Sequence, residues 1–152
     1  MPSARKGVIY TSNYAKTLMP ISREDVTILI VDDDPLHLKL YSWILQRKSY
    51  KCATALVQSS SVDLPENASV NLVLLDYRLK SSLTTLEVVS QIRDKFAAVP
   101  IVILSDLQWM PDEMRGEAVA FVNKGDPKLL LQTISDVLQD EQPKAETQES
   151  GK

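Results

Sequence analysis

Asp32, Asp33 and Asp76 are carboxylates that follow short apolar runs, and Ser105 and Lys124 follow two more. Thr27-Ile-Leu-Ile-Val31 leads into Asp32-Asp33-Asp34, and Asn71-Leu-Val-Leu-Leu75 ends on Asp76. Pro100-Ile-Val-Ile-Leu104 ends on Ser105-Asp106, and Ala118 to Val122 leads into Asn123-Lys124-Gly125. Carboxylates brought to one place repel, so they need a cation, a proton or a solvated setting. Two or three of them with open water positions suit a hard cation, and Mg²⁺ is usually held by one or two carboxylates plus water and phosphate oxygens. A serine hydroxyl and a lysine ammonium are donors for phosphate oxygens. A carboxylate between a metal and an ammonium can attack phosphorus and become an aspartyl phosphate. The metal and Lys124 would then offset charge on the transferring group.

These residues meet only if the apolar runs are neighbouring parallel strands. The runs are too short for free-standing helices and read as strands buried on both faces. Strands are expected over Val26 to Val31, Tyr50 to Leu56, Leu72 to Leu75, Pro100 to Leu104 and Ala118 to Val122. Asp34-Pro35 and Asp126-Pro127 each supply an N-cap followed by proline at the first helical position. Helices are expected from there to about Lys48 and about Leu138. In the first, Leu36, Leu40, Trp43, Ile44 and Arg47 form one stripe, with Leu38, Tyr41 and Leu45 beside it. His37, in its first turn, reads as a solvated or packing residue. In the last, Leu130, Ile134, Val137 and Leu138 face inward. Thr85 to Phe96 is a helix with Leu86, Val89, Ile92 and Phe96 toward the sheet. Val57 to Val70 is rich in Ser with Pro65 and Asn67, so only a short or irregular helix is expected. Leu107 to Glu117 contains Pro111 and Gly116 and has room for two helical turns at most. The alternation predicts right-handed crossovers and a parallel sheet covered by helices on both faces. All the strands' carboxyl ends then share one edge, where open α/β sheets bind ligands.

The chain has 152 residues and a net charge of -3, enough for one domain and giving no general reason to bind nucleic acid or an anionic membrane. Its one cysteine, Cys52, excludes an internal disulfide. No apolar run approaches the roughly 20 residues of a membrane helix, and no secretory signal is evident. A cytoplasmic protein is expected. Residues 1–25 show no sustained periodicity and read as a flexible extension, a disordered tail or a small partner-binding arm, with Val8-Ile9-Tyr10 as its one spot that could dock somewhere. Residues 26–139 are the domain, and 140–152 a disordered acidic tail.

Four pieces together resemble the receiver domain of the two-component response-regulator family: Ile28-Leu-Ile-Val-Asp-Asp-Asp-Pro35, Leu72-Val-Leu-Leu-Asp-Tyr-Arg78, Pro100-Ile-Val-Ile-Leu-Ser105 and Phe121-Val-Asn-Lys124. The resemblance covers about Val26 to Leu138. It implies a flavodoxin-like fold with five parallel strands in the order 2-1-3-4-5. It implies that Asp76 accepts a phosphoryl group. Mg²⁺ (or Mn²⁺) would be held by Asp33, by Asp32 mostly through water, by Asp76 and by the Arg78 carbonyl. Ser105 and Lys124 would contact phosphate, and Phe121 falls on the aromatic switch position. The implied donor is a sensor histidine kinase or a histidine phosphotransfer protein. Read-out by a downstream protein would use the face of the fourth helix, fifth strand and fifth helix, with the chain a monomer or weak dimer.

The match departs from the family in four places. Asp106 stands where a small residue is usual, and would repel an incoming donor or compete for Lys124 unless turned outward. The loop Leu79-Lys-Ser-Ser-Leu-Thr-Thr85 lacks glycine, so its backbone must avoid positive φ. Gly125 replaces the usual proline after Lys124. The Leu107 to Glu117 segment is short and carries Trp109 and Met110, read as a partner surface or as local packing. Arg78 and Asp106 are the expected modulators of phosphate lifetime and entry. Two other functions compete. One is a degenerate receiver that binds proteins without phosphorylation. The other is a haloacid-dehalogenase-type phosphatase, which needs a second Asp where Arg78 stands, so an enzyme is not expected.

Overall fold

The computed structural model describes residues 7–10, 22–66, 69–77, 79–80 and 82–140. Among these, β1 (Val8–Tyr10), β2 (Thr27–Asp32), β3 (Lys51–Leu56), β4 (Leu72–Asp76), β5 (Ile101–Ser105) and β6 (Ala120–Asn123) form one sheet. The helices are α1 (Pro35–Gln46), α2 (Thr85–Lys95) and α3 (Pro127–Leu138). The sheet order is β1-β6-β5-β4-β2-β3. Its five parallel strands, counted alone, have the expected order 2-1-3-4-5. The added strand is β1, which pairs antiparallel with β6.

The strand runs are apolar on both sides because both sides are covered. Ile28, Ile30, Leu72 and Leu74 point to the face carrying α1 and α3. Leu29, Val31, Val73 and Leu75 point to the face carrying α2 and the 107–118 segment. Alternation at period two sends neighbouring residues into two different cores. All three helices start on side-chain caps. Asp34 Oδ1 accepts from Leu36 N–H at 2.9 Å and Asp126 Oδ1 from Leu129 N–H at 3.2 Å. Thr84 and Glu87 form a reciprocal capping box on α2.

Five expectations change. First, the sheet has a sixth strand inside the segment read as an extension. Tyr10 hydroxyl donates to Asp136 of α3 at 3.2 Å, and Asn123 N–H donates to the Gly7 carbonyl at 2.8 Å. Gly7 sits at φ +86, and a Cβ there would lie 2.7 Å from a Leu129 methyl carbon. Second, α1 buries Leu38 and Leu45 and leaves Leu36, Leu40 and Trp43 exposed. The helix is apolar nearly all round, and the sheet takes the 38/45 side rather than the longer stripe. Third, α2 buries Val88, Val89 and Ile92 and leaves Leu86 exposed. Fourth, the described part of 57–70 holds a Val57–Val62 bridge and no helix. Fifth, the fourth helix is replaced by one 3-10 turn, Asp112–Met114, after Pro111. Proline there lacks the N–H a preceding helical turn would use.

Asp140, read as the first residue of the tail, is buried. It accepts from Tyr50 hydroxyl and, at 2.6 Å, from Ser135 hydroxyl, with Arg23 Nε at 3.3 Å. Arg23 also lies over the Tyr50 ring, 5.2 Å from its centre. This cluster ties the end of α3 to the amino ends of β2 and β3, opposite the carboxyl-end rim. No described helix is long and apolar enough to cross a membrane.

Candidate functional site

Register alone brings the acids together. Val31 lies opposite Leu75, so the next residues, Asp32 and Asp76, end adjacent strands side by side. Asp76 in turn lies opposite Leu104, and Ser105 opposite Asn123, which precedes Lys124. Asp32 is 2 % exposed and Asp76 4 %. Lys124 Nζ reaches Asp76 Oδ1 at 2.8 Å, yet that oxygen receives no aligned hydrogen bond.

The electrostatics follow from this packing. Burial pushes the Asp32 carboxyl up to about 6, and the Asp76 charge adds to it. The Asp34 N–H, which donates to Asp32 Oδ1 at 3.0 Å, opposes the shift only in part. Burial alone would lower Lys124, but the Asp76 carboxylate beside it outweighs that and raises the ammonium's pKa. The Tyr41 hydroxyl, raised mainly by burial, also feels Lys124, Asp76 and Asp32.

The remaining expected residues surround this centre. Asp33 is half-buried and accepts a hydrogen bond from Lys80 N–H, which holds the loop after Asp76. Ser105 is buried; its hydroxyl oxygen accepts from Leu107 N–H at 3.0 Å, and its carbonyl from Lys124 N–H at 2.8 Å. Asp106 is exposed. Gly125 takes φ +93, a conformation that costs a residue with a Cβ. The loop between Leu79 and Thr85 has no positive φ among its described residues, as its lack of glycine requires. Arg78 lies outside the described residues, so its expected ligand and modulator roles stay with the sequence. Trp109 is 64 % exposed, but Met110 is 1 % exposed and packs into the core with Met114. Met110 therefore does not share a partner surface with Trp109: the turn that replaces the fourth helix folds it inward.

Phe121 is buried, and its ring meets Tyr77 edge-on with centres 5.9 Å apart. Tyr77 hydroxyl donates to Glu113 at 3.0 Å, and the Tyr77 carbonyl accepts from Thr85 hydroxyl at 2.7 Å. The residue next to Asp76 is thus linked to α2, β6 and the 112–114 turn. Sequence reasoning missed Tyr77 and Thr85, although Tyr77 adjoins Asp76 directly. It also set aside His37. That ring places Nδ1 3.2 Å from Asp32 Oδ2 and Nε2 3.5 Å from Asp34 Oδ2. The signal was its place three residues into the helix, where side chains lean back toward the amino end and hence the rim.

One donor atom each from Asp32, His37 and Asp76 lies within 4.8 Å of the others. The buried, unaligned Asp76 oxygen and the high Asp32 pKa both fit a site that gains by taking a divalent cation.

Residues 28–135 match the family described as response regulator receiver domain, and the chain belongs to that family. Its place is therefore in two-component signalling. Solved structures with the same fold include a receiver domain protein from Clostridium thermocellum. It is 20% identical, matched over 75% of this chain and 94% of that one, with a TM-score of 0.62. A CheY-like receiver domain protein from Methanospirillum hungatei is 23% identical over 75% and 94%, with a TM-score of 0.61. The response regulator TrrA from Thermotoga maritima, in complex with Mg²⁺-BeF, is 24% identical over 74% and 99%, with a TM-score of 0.54. No curated protein matches the chain.

Proposed function

We propose that the chain is a working receiver whose Asp76 accepts a phosphoryl group from a phosphohistidine of a sensor kinase or phosphotransfer protein in the cytoplasm. The observation that carries this reading is the buried Asp76 carboxylate held 2.8 Å from the Lys124 ammonium at the rim. In the transfer, an Asp76 oxygen forms the new bond to phosphorus and the bond from phosphorus to the donor nitrogen breaks. Lys124 lies where charge builds on the phosphoryl oxygens. Asp32, Asp33 and Asp76, with the Arg78 carbonyl, are the residues that would hold Mg²⁺ or Mn²⁺. When bound, the ion supplies charge neutralisation for the phosphoryl group. Ser105 must exchange its Leu107 partner for a phosphate oxygen, which couples the 107–119 segment to the event. Tyr77 and Phe121 carry the same change to β6.

The read-out surface differs from the expected one. With no fourth helix and β1 on the β6 edge, a partner reads the 107–119 segment around Trp109, β1 and α3. The loss of that helix also favours the alternative, a degenerate receiver that binds its partner without phosphorylation. Intact mass after incubation with Mg²⁺ and a small phosphodonor separates the two. A gain of one phosphoryl group in the parent, absent in Asp76→Ala, supports the working receiver. No gain, even with a phosphohistidine donor protein, supports the degenerate one.

A further inference from the structure

Among the described residues β1 is the one antiparallel strand of the sheet, and it is bonded to the part of β6 that serves the rim. Ile9 lies opposite Phe121, whose ring meets Tyr77, the residue after Asp76. The Gly7 carbonyl accepts from Asn123 N–H at 2.8 Å. Asn123 in turn lies opposite Ser105 and precedes Lys124. Two of the contacts that hold β1 thus rest on neighbours of the residues that meet a phosphoryl group.

The attachment is slight. Three residues pair with β6, and of these only Val8 is buried. Beside them lies a groove of about 830 Å³ whose lining includes Val8, Ile9, Leu107 and Gln108. The strand is therefore held by β6 and α3 and is open toward the 107–108 segment. Short edge strands with little burial open at the low-stability end of a fold. At its first residue the fit is nonetheless close. Gly7 sits at φ +86, and a Cβ there would lie 2.7 Å from a Leu129 methyl carbon and 3.5 Å from the Asn123 Cβ. Its backbone is wedged between β6 and α3, so a shift of Asn123 strains or breaks their hydrogen bond.

Phosphoryl oxygens compete for groups that are engaged here. Lys124 Nζ pairs with Asp76 Oδ1 at 2.8 Å, and the Ser105 hydroxyl oxygen accepts from Leu107 N–H at 3.0 Å. Lys124 N–H also donates to the Ser105 carbonyl at 2.8 Å, so turning either side chain toward a phosphate acts on this backbone pair and on Asn123 beside it. We propose that β1 is a strap loosened by phosphorylation of Asp76. Docked, it favours the arrangement in which Lys124 pairs with Asp76. Loosened, it uncovers the outer edge of β6. The inference rests on the receiver reading above and adds a regulator to it. Coupling between two sites is reciprocal, so β1 must weaken the binding of a phosphoryl mimic by the same factor by which the mimic weakens β1.

The test uses the full chain, with beryllofluoride and Mg²⁺ as the phosphoryl mimic. In hydrogen-exchange NMR the Asn123 amide should exchange at least about 5-fold faster with the mimic than with Mg²⁺ alone, the low end of coupling between sites. The buried Leu74 and Ile103 amides should not speed up. In the reciprocal arm, Gly7→Ala loosens β1 and should bind the mimic at least about 5-fold more tightly in a fluorine NMR titration. Tyr10→Phe removes the hydroxyl that donates to Asp136 and should shift affinity the same way, which keeps this arm decisive if circular dichroism shows Gly7→Ala unfolded. Asn123 exchange that the mimic leaves unchanged, or a loosened β1 that binds the mimic no more tightly than the parent, overturns the inference and leaves the receiver reading standing. A parent that shows no bound fluorine signal but takes a phosphoryl group is compared in the exchange arm as the phosphorylated protein. A parent that does neither, even with a phosphohistidine donor protein, overturns both readings.

Discussion

Asp32 is costly to keep ionised, and the cost is large enough to measure. Its carboxyl titrates at about 6 in the fold against 3.8 ordinarily, through burial and the Asp76 charge. Between those values the folded state binds more protons than the unfolded one. Stability in metal-free buffer therefore falls as pH rises through this window, and the loss is complete above about pH 6. Linkage gives a cost of about 0.5 kcal/mol at pH 4 and about 3 kcal/mol at pH 7.5. Asp32→Asn removes the charge, keeps the shape, and can keep the acceptor for the Asp34 N–H. The variant should gain on the parent by about 2.5 kcal/mol between pH 4 and pH 7.5, whatever constant cost the amide carries. At about 3–4 °C per kcal/mol for a chain of this size, that is a change of about 8–10 °C in relative Tm. A divalent ion at 100 times its Kd would return about 2.7 kcal/mol to the parent, nearly offsetting the cost. The assay is urea unfolding with chelator at the two pH values, followed by circular dichroism, then repeated with Mg²⁺. A parent-to-variant difference that does not move with pH would refute the electrostatic argument.

Three further predictions follow from other contacts. Asp140→Ala removes the buried carboxylate that Arg23, Tyr50 and Ser135 share and should destabilise by about 3–5 kcal/mol in denaturant unfolding, whereas Arg23→Met with Asp140→Leu should cost less than that single change. Lys124→Ala leaves Asp76 Oδ1 without its cation and should slow phosphoryl uptake by about 100-fold in a mass time course, the scale for losing one charge-stabilising donor. Gly7→Ala must hold positive φ and displace Leu129, costing about 1–2 kcal/mol at the edge, so the Asn123 amide should exchange its hydrogen faster while the core amides do not.

The sequence made the sheet legible because a doubly covered parallel strand leaves an unmistakable mark, a short apolar run with a polar residue at its carboxyl end. Asp32, Asp76, Ser105 and Lys124 could be placed on one rim from that mark alone, and the register confirms their neighbours. Helix faces were less legible. In α3 the apolar residues lie on one side and the inner stripe is the expected one, with Leu130, Ile134, Val137 and Leu138 buried. In α1 apolar residues surround the axis, so periodicity cannot choose between the Leu36–Leu40–Trp43 side and the Leu38–Leu45 side; only the shape of the sheet does. β1 was illegible for another reason. Three residues carry no period worth the name, and what fixes them is the unpaired edge of β6, which is a property of the rest of the fold.

That edge has a consequence for signalling. An exposed parallel edge invites strand addition by any extended chain, and here the protein's own Val8–Tyr10 fills it. The strand is anchored by Val8 in the core, by Tyr10 on α3 and by the Gly7 carbonyl on Asn123, one residue before Lys124. The same β6 carries Phe121 on its inner side against Tyr77, beside Asp76. A change at Asp76 that moves Tyr77 and Phe121 therefore acts on the strand to which β1 is bonded. The short fourth segment lets Met110 and Met114 close the core without a helix, and leaves Trp109 exposed on that side of the sheet.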